Sequence, residues 1–226
     1  MRLVADMKWV YVEDIGEYVD QEVCVRGWVY HLRSMGRIRF VVIRDGTGIV
    51  QCVVTEDDSP KAFESFDSLT QETSCQVTGL VREDKRAPGG YELLVRSIEI
   101  IQRSQGYPIT PKEHGIAFLM DHRHLWLRSS RQTSILRIRA EVMRACRDYL
   151  DDRGFLEVDA PILTPASVEG TTTLFETEYF GDRAYLSQSG QLYNEAACMA
   201  LGKVYCFGPT VRAEKAKTRR HLTEFW

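Results

Sequence analysis

The strongest constraint on the fold is a series of five short segments between residues 22 and 101 in which apolar and polar residues alternate. Alternation of this kind is typical of half-buried β-strands. The predicted strands cover residues 22–30, 38–44, 49–54, 75–82 and 91–101. Residues 45–48 (Asp-Gly-Thr-Gly) predict a hairpin turn between the second and third strands, and residues 60–69 predict a short helix before the fourth. This half of the chain therefore consists of three strands, a helix and two strands.

That order of elements is the order found in an OB-fold barrel, which commonly binds single-stranded nucleic acid. The chain carries 29 Lys and Arg against 32 Asp and Glu, a net charge of −3, so any contact with nucleic acid must come from a local basic patch. The first two strands provide a patch of arginine and aromatic residues: Arg26, Trp28, Tyr30, Arg33, Arg37, Arg39, Phe40 and Arg44. The alternative is that Phe40 and Trp28 fill the barrel core. For Trp28 we favour the core, although alternation does not fix which face points inward.

Residues 102–115 show little periodicity and contain Gly106, Pro108 and Pro111, which predicts a linker. After it, residues 129–153 predict a long amphipathic helix that ends at Gly154. The predicted domains are an OB-fold domain at 1–102, a linker at 103–128 and a second domain at 129–226.

The second domain is predicted to be an antiparallel sheet with helices, which makes the whole chain a β-rich α+β protein. The further predicted elements are strands at 155–161, 173–179 and 183–188, a helix at 191–201, and a hairpin of residues 204–212 and 222–226. The sequence contains no Walker A loop and no GxGxxG motif, which disfavours the usual parallel-sheet nucleotide folds.

The six cysteines are widely spaced and form no CxxC pair, which disfavours a disulfide scaffold and a structural zinc site. The N-terminus lacks the apolar core of a signal peptide, and no apolar run approaches the roughly 20 residues of a membrane helix. We therefore expect a soluble, cytoplasmic protein without a membrane partner.

The most informative stretch is residues 207–226, Phe-Gly-Pro-Thr-Val-Arg-Ala-Glu-Lys-Ala-Lys-Thr-Arg-Arg-His-Leu-Thr-Glu-Phe-Trp. It resembles motif 2 of the class II aminoacyl-tRNA synthetases, and within them it is most similar to the aspartyl and asparaginyl subgroup. The long helix and the strand that ends at Pro161 resemble motif 1, which builds the dimer interface in that class. An N-terminal OB-fold anticodon-binding domain completes the layout of the subgroup. The resemblance covers essentially the whole chain and implies a homodimer.

The resemblance implies that this stretch binds ATP. Arg212 would stabilise the charge that builds on the α-phosphate, because a planar guanidinium matches phosphate oxygens bidentately. Glu214 would accept a hydrogen bond from the adenine amino group, Phe225 would stack on the ring, and His221 is a candidate for the terminal phosphates. Further cations would serve ATP or the tRNA acceptor end: Lys215, Lys217, Arg219 and Arg220. The alternative interpretation is a solvated charged hairpin.

The amino-acid pocket should distinguish asparagine from aspartate. By resemblance, Glu169 holds the substrate α-ammonium, while Ser189 and Gln191 contact the substrate. Aspartyl enzymes have a lysine three places after that glutamine, and this chain has Asn194 there, followed by Glu195. Glu195 would accept hydrogen bonds from the side-chain NH2 of asparagine and repel aspartate, which favours the asparaginyl-tRNA synthetases. The alternative is that Glu195 is an ordinary solvated helix residue.

In the barrel, Arg33, Phe40 and Gln51 match the subgroup positions that read the central anticodon uridine by stacking and hydrogen bonding. Aspartate and asparagine anticodons share that base, so these residues do not separate the two tRNAs. The expected partner is tRNA(Asn).

The sequence stops at Trp226, inside the second strand of motif 2. The family continues with carboxylates that hold Mg2+ around ATP and with a motif 3 arginine, so we expect the magnesium ligands beyond residue 226, no metal site within the chain, and a fragment of doubtful activity in isolation. The expected function is ATP-dependent ligation of asparagine to tRNA through an asparaginyl-adenylate. The alternatives are an aspartyl-tRNA synthetase, an asparagine synthetase of the same ancestry, or a non-catalytic tRNA-binding module.

Overall fold

A computed structural model of the chain describes residues 8–165, 174–215, 218 and 221–226. The chain divides into two compact units, Met1–Ser129 and Ser130–Trp226. Among the described residues, no helix is both long enough and apolar enough to cross a membrane.

The first unit is built on a closed barrel of five strands. These are β1 (Glu22–Met35), β2 (Ile38–Arg44), β3 (Ile49–Thr55), β4 (Ser74–Glu83) and β5 (Tyr91–Gln102). Their order around the barrel is β1-β2-β3-β5-β4, and the β3–β5 pair is parallel while the other pairs are antiparallel. The long β1 pairs with both β2 and β4, and its register with β2 shifts between Val29 and His31. The predicted OB-fold is confirmed.

Small branched side chains fill the barrel interior. Fully buried residues from all five strands include Val25, Val29, Val41, Ile43, Val54, Val77, Val81 and Leu93. Trp28 is 40% exposed and lies outside this core, so the prediction of a core position for Trp28 is wrong. Val25 and Val29 take the inward positions of β1. At Gly27 between them, an added Cβ would lie 2.5 Å from the carbonyl oxygen of Arg44. The backbones of β1 and β2 are therefore too close here for any residue other than glycine.

Two short helical segments accompany the barrel. A 3-10 helix, Val12–Tyr18, precedes β1, and α1 (Pro60–Ser65) continues into a 3-10 turn at Phe66–Ser68. The Arg39 guanidinium carbon lies 4.6 Å from the ring centroid of Phe63 and 4.8 Å from that of Phe66, which holds this helix against β2. The predicted helix at 60–69 is therefore present as two shorter pieces.

The segment after the barrel holds two short helices that the sequence does not predict, α2 (Ile116–Asp121) and α3 (Arg123–Trp126). Two rings one helical turn apart support α2. The centroids of Phe118 and His122 are 4.3 Å apart, and His122 Nδ1 lies 2.9 Å from the Phe118 carbonyl oxygen. Thr70 Oγ1 donates to the carbonyl of Ser104 at 2.6 Å, which ties the segment to the barrel.

In its described residues, the second unit contains α4 (Ser130–Asp151), α5 (Gln191–Leu201) and seven short strands. The strands are β6 (Leu156–Glu157), β7 (Leu163–Thr164), β8 (Glu176–Tyr179), β9 (Asp182–Leu186), β10 (Val204–Tyr205), β11 (Thr210–Val211) and β12 (Glu224–Phe225). Strands β7, β9 and β8 form an antiparallel sheet in that order, and β11 pairs antiparallel with β12. The predicted combination of antiparallel strands and helices is present in the described part of this unit.

Two details of this unit differ from the expectation. The pair β6–β10 is parallel, not antiparallel, because a long connection through β7, β8, β9 and α5 separates the two strands. The predicted strand at 204–212 is two strands, β10 and β11. Pro209 lies between them and has no N–H to donate to a ladder.

A polar network joins α4 to the parallel pair. The Tyr205 hydroxyl donates to Asp151 Oδ1 at 2.9 Å and to Glu157 Oε2 at 3.3 Å. Arg147 Nε lies 3.1 Å from both oxygens of Glu157, and Arg147 Nη2 donates to the carbonyl of Phe207 at 3.3 Å. Burial, followed by the hydrogen bond to Asp151, raises the pKa of Tyr205 to about 12.

Candidate active site and nucleic-acid interface

The β11–β12 hairpin positions the two central residues of the predicted ATP site. Thr210 pairs with Phe225, and the backbone N–H of Arg212 donates to the carbonyl of Thr223 at 2.8 Å. The guanidinium carbon of Arg212 lies 5.1 Å from the ring centroid of Phe225. The cation and the ring are therefore neighbours, an arrangement in which one can meet a phosphate while the other stacks on a base.

One backbone hydrogen bond joins this hairpin to the predicted amino-acid pocket. The N–H of Val211 donates to the carbonyl of Ser187 at 3.0 Å, directly after β9. Ser187 Oγ in turn donates to the carbonyl of Ser189 at 2.8 Å. Arg212 is the residue after Val211, so this hydrogen bond places its backbone next to the segment that carries Ser189 and Gln191.

The start of α5 brings three predicted pocket residues together. Ser189 Oγ accepts from the N–H of Gln191 at 3.1 Å, and Gln191 Nε2 donates to Glu195 Oε1 at 2.9 Å. The second contact is the i,i+4 pairing expected on a helix surface. Glu195 is exposed, and its carboxylate is oriented by a neutral amide, not by a cation.

Asn194 occupies the place of the aspartyl-type lysine. Its backbone N–H donates to the carbonyl of Gly190 at 3.0 Å, and its side-chain Oδ1 is buried with no hydrogen-bond partner among the described residues. A neutral side chain at this position cannot balance the charge of a substrate carboxylate.

The other predicted residues of this unit are more dispersed. Glu214, Lys215 and His221 are exposed, and the His221 ring hydrogen-bonds through Nδ1 to Thr218 Oγ1. Pro161 is exposed after β6. Four predicted site residues lie outside the described residues: Glu169, Lys217, Arg219 and Arg220.

Across the described part of the chain, no group of three or more His, Cys, Asp or Glu side chains could hold a metal ion. The described residues thus offer no site for Mg2+, and the expectation that its ligands lie beyond residue 226 stays a prediction.

On the barrel, the three predicted anticodon residues share one surface pocket of about 440 Å3. Arg33 on β1 pairs directly with Phe40 on β2, and its guanidinium carbon lies 4.3 Å from the Phe40 ring centroid. Gln51 comes from β3. The pocket is also lined by Ile38, Val53, Asp84, Arg86 and Glu92. A ring, a cation and an amide at one open site suit an unstacked base.

Three polar residues of this pocket were not identified from the sequence: Asp84, Arg86 and Glu92. Gln51 Nε2 donates to Glu92 Oε2 at 3.3 Å across the parallel β3–β5 pair. Arg86 Nε and Nη2 donate to Asp84 at 3.2 and 3.0 Å, and this hydrogen bonding holds the pKa of Asp84 below its usual value. The one sequence signal for Asp84 and Arg86 is their position in the charged turn between the predicted fourth and fifth strands. Closure of the barrel brings that turn to the pocket, and the sequence does not show this closure.

Two family models match the chain. Residues 23–101 match the OB-fold nucleic acid binding domain, and residues 116–226 match tRNA synthetases class II (D, K and N). These ranges include the Arg33–Phe40 pocket and the β11–β12 hairpin respectively.

Named relatives agree with these models. An asparagine–tRNA ligase of Desulforamulus reducens is 57% identical over 97% of this chain and 51% of its own length, and one of Thermus thermophilus is 59% identical over 96% and 50%. The chain spans about half the length of the curated relatives it matches.

Solved structures give the same picture. The asparaginyl-tRNA synthetase of Pyrococcus horikoshii, complexed with asparaginyl-adenylate, has a TM-score of 0.89 and 43% identity over 96% of this chain and 51% of its own. A putative aspartyl-tRNA synthetase from Leishmania major has a TM-score of 0.80 and 27% identity over 98% and 47%. The chain therefore belongs to the class II tRNA synthetases of the D, K and N group, and the two curated relatives named above are asparagine–tRNA ligases.

Proposed function

We propose that this chain supplies the anticodon-binding barrel and part of the adenylate-forming site of an asparagine–tRNA ligase. The enzyme would join asparagine to ATP as asparaginyl-adenylate and then transfer the asparaginyl group to tRNA(Asn). The observation that carries the proposal is the Val211–Ser187 hydrogen bond, which links the Arg212–Phe225 hairpin to the Ser189–Gln191 segment. The predicted ATP residues and the predicted amino-acid residues would thereby belong to one local structure.

The proposed first step is attack of the asparagine α-carboxylate on the α-phosphorus of ATP. A bond forms between a carboxylate oxygen and phosphorus, and pyrophosphate leaves with the electron pair of the broken P–O bond. Negative charge grows on the phosphate oxygens in the transition state, and the guanidinium of Arg212 would stabilise it. Phe225 would hold the adenine ring, with Glu214 accepting from its amino group and His221 near the terminal phosphates.

Selection of asparagine would depend on Glu195. A carboxylate accepts hydrogen bonds from a carboxamide NH2 and repels a second carboxylate, so it favours asparagine over aspartate. The hydrogen bond from Gln191 orients Glu195, and the neutral Asn194 supplies no charge partner for aspartate. Glu169 would hold the substrate α-ammonium, by resemblance.

The barrel would bind the anticodon of tRNA(Asn), with Arg33, Phe40 and Gln51 on the central base. The Arg33–Phe40 contact at 4.3 Å supports this, because it presents a ring and a cation at one open surface. A cytoplasmic location belongs to the same proposal, since tRNA charging and six widely spaced cysteines both suit a reducing compartment.

Dimerisation through the motif 1 elements, α4 and the strand before Pro161, is also proposed. The described residues of α4 include no buried side chain, and its exposed apolar residues are Ile135, Leu136, Ile138, Val142 and Tyr149. Large exposed apolar surface of this kind marks an interaction site, and a second copy of the chain is the proposed occupant.

The test is ATP–pyrophosphate exchange by this chain, with asparagine and aspartate supplied separately, alongside calorimetric binding of non-hydrolysable sulfamoyl analogues of the two aminoacyl-adenylates. We expect the asparaginyl analogue to bind and the aspartyl analogue to bind far more weakly. Arg212→Ala should abolish the binding, while Arg183→Ala, an exposed arginine paired with Glu176 on the neighbouring hairpin, should not.

The other outcomes of this test separate the alternatives. Preference for the aspartyl analogue would point to an aspartyl-tRNA synthetase or an asparagine synthetase. Salt-dependent tRNA binding without affinity for either analogue would indicate a non-catalytic tRNA-binding module.

A further inference from the structure

A second pocket of about 230 Å3 lies on the first unit, apart from the Arg33–Phe40 pocket. Strand β1 forms one side, and the segment that contains α3 forms the other. Three aromatic residues, Tyr30, Tyr107 and Trp126, line it together with Arg128. Its volume is below the 300–1,000 Å3 of typical drug-sized sites, which suits one small planar group.

A buried carboxylate holds this pocket in shape. The Glu72 side chain is 4% exposed, and its backbone φ is +64°, in the left-handed region that non-glycine residues rarely adopt. Both Glu72 oxygens accept from Arg44 Nη2, at 3.2 and 2.9 Å, and Oε2 also accepts from Arg128 Nη1 at 2.5 Å. Backbone strain and a desolvated charge are kept only where surrounding structure supports them, and they concentrate at functional sites.

The cluster has a formal charge of +1, because two arginines meet one carboxylate. Its two cations are fixed on both sides, since Arg44 also lies over the Trp28 ring at 5.1 Å and Arg128 over the Tyr107 ring at 5.9 Å. The Arg128 side chain remains 37% exposed, so its positive charge is accessible from solvent. A fixed, accessible cation beside aromatic rings is the combination that holds an unstacked nucleotide.

The pocket is close to the anticodon residues along one strand. His31 lines it, and Arg33 follows two residues later on β1, about 7 Å along the strand. Single-stranded RNA that contacts Arg33 and Phe40 would therefore pass within reach of this second pocket.

We propose that the pocket takes one unstacked nucleotide of the bound tRNA, beside those contacted by Arg33 and Phe40, with the base against Tyr107 and the phosphate at Arg128. Glu72 is the positioning residue that fixes Arg128 for this contact. The inference rests on the proposed binding of tRNA by the barrel, and it adds a site to the three residues named for the central base.

The experiment measures binding of a fluorescein-labelled tRNA(Asn) anticodon stem-loop to the whole chain by fluorescence anisotropy. Base–aromatic stacking is worth about 1–3 kcal/mol per base, so Tyr107→Ala should weaken binding about tenfold, while Tyr107→Phe keeps the ring and the affinity. The matched control is Tyr11→Ala, an exposed tyrosine of the same unit that lines neither pocket. In a second measurement, 2-aminopurine replaces each loop base in turn. At one position, its fluorescence should be quenched on binding to the wild-type chain and to Tyr11→Ala but not on binding to Tyr107→Ala.

A second variant tests the site independently of Tyr107. Arg128→Gln should reduce the slope of log affinity against log salt by about 0.7, the value for one phosphate contact of a single strand, and Arg96→Gln on β5 should leave it unchanged. The proposal for this pocket would be overturned if Tyr107→Ala and Arg128→Gln kept the wild-type affinity and the wild-type salt slope while Phe40→Ala weakened binding. The proposed anticodon site at Arg33 and Phe40 would then stand. No binding by the wild-type chain would overturn both.

Discussion

At the scale of single residues, the proposed selection of asparagine depends on the charges of Glu195 and Asn194. Glu195 is exposed at the start of α5 and accepts a hydrogen bond from the neutral side-chain amide of Gln191. Asn194 adds no charge beside it. We propose that the pair presents a net negative acceptor, which would complement a carboxamide and disfavour a carboxylate.

Replacing Glu195 by Gln should weaken binding of the asparaginyl-adenylate analogue about 10-fold to 150-fold, since hydrogen bonds to charged groups contribute about 1.5–3 kcal/mol. The preference over the aspartyl analogue should narrow as well, because the like-charge repulsion is removed. Isothermal titration calorimetry of both analogues measures this ratio. Glu178→Gln on β8 is the matched control, and an unchanged ratio in Glu195→Gln would show that Glu195 is an ordinary solvated helix residue.

Among the elements, the parallel pair β6–β10 depends on contacts with α4. Tyr205 on β10 donates to Asp151 at the end of α4 and to Glu157 on β6, so its hydroxyl group joins β10 to two other elements. The phenol must remain protonated to donate, and its pKa of about 12 keeps it so far into the alkaline range.

This predicts a loss of stability at high pH. The unfolded chain releases the Tyr205 proton from about pH 10, whereas the folded chain keeps it until about pH 12. The unfolded state therefore binds fewer protons across this window, and the stability contribution of Tyr205 falls as pH rises through it. Thermal melts between pH 9 and 12 should show a steeper decline for the wild-type chain than for Tyr205→Phe. Parallel declines would contradict the assignment.

Particular elements show which parts of the fold the sequence predicts and which it does not. Helix α5 matches its predicted bounds, because Gly190 and Gly202 flank an uninterrupted run of helix-forming residues. Helices α2 and α3 were missed, since six and four residues are too few to show a helical period. Alternation of apolar and polar residues does not show which face of a strand points into the barrel, so the sequence predicts the wrong face for Trp28. The buried side chains of Val25 and Val29 show which face of β1 points inward.

On the scale of the whole molecule, we predict a dimer formed through α4. Ile138 is 64% exposed in the centre of the apolar residues of this helix, so Ile138→Glu should place a charge in the interface and give a monomer. Sedimentation velocity of the 26.0 kDa chain distinguishes the two states. Lys61→Glu on α1 adds the same side chain elsewhere and should remain dimeric, while a monomeric wild-type chain would contradict the proposal.

Residues 1–129 should fold alone and bind the anticodon stem-loop as tightly as the whole chain. The barrel is closed, and its core cluster, from Val10 to Val95, lies within this unit. Circular dichroism melting and anisotropy titration of the isolated segment provide the measurement. An unfolded segment, or a tenfold loss of affinity, would show that residues 130–226 contribute to the barrel or to its RNA surface.

Local properties of the sequence predict the five barrel strands and the helices α1, α4 and α5, because alternation and helical periodicity are visible within a few residues. Short motifs carry the resemblance to the class II synthetases. The resemblance also predicts roles for Arg33, Phe40, Gln51 and Arg212, and these roles stay predictions. Tertiary structure alone decided which distant residues meet: Glu92 reaches Gln51 through the parallel β3–β5 pair, and Glu72 joins Arg44 to Arg128. Such contacts depend on barrel closure and on register, which bring together residues 28 to 56 positions apart in the chain. No local pattern encodes a distance of that kind.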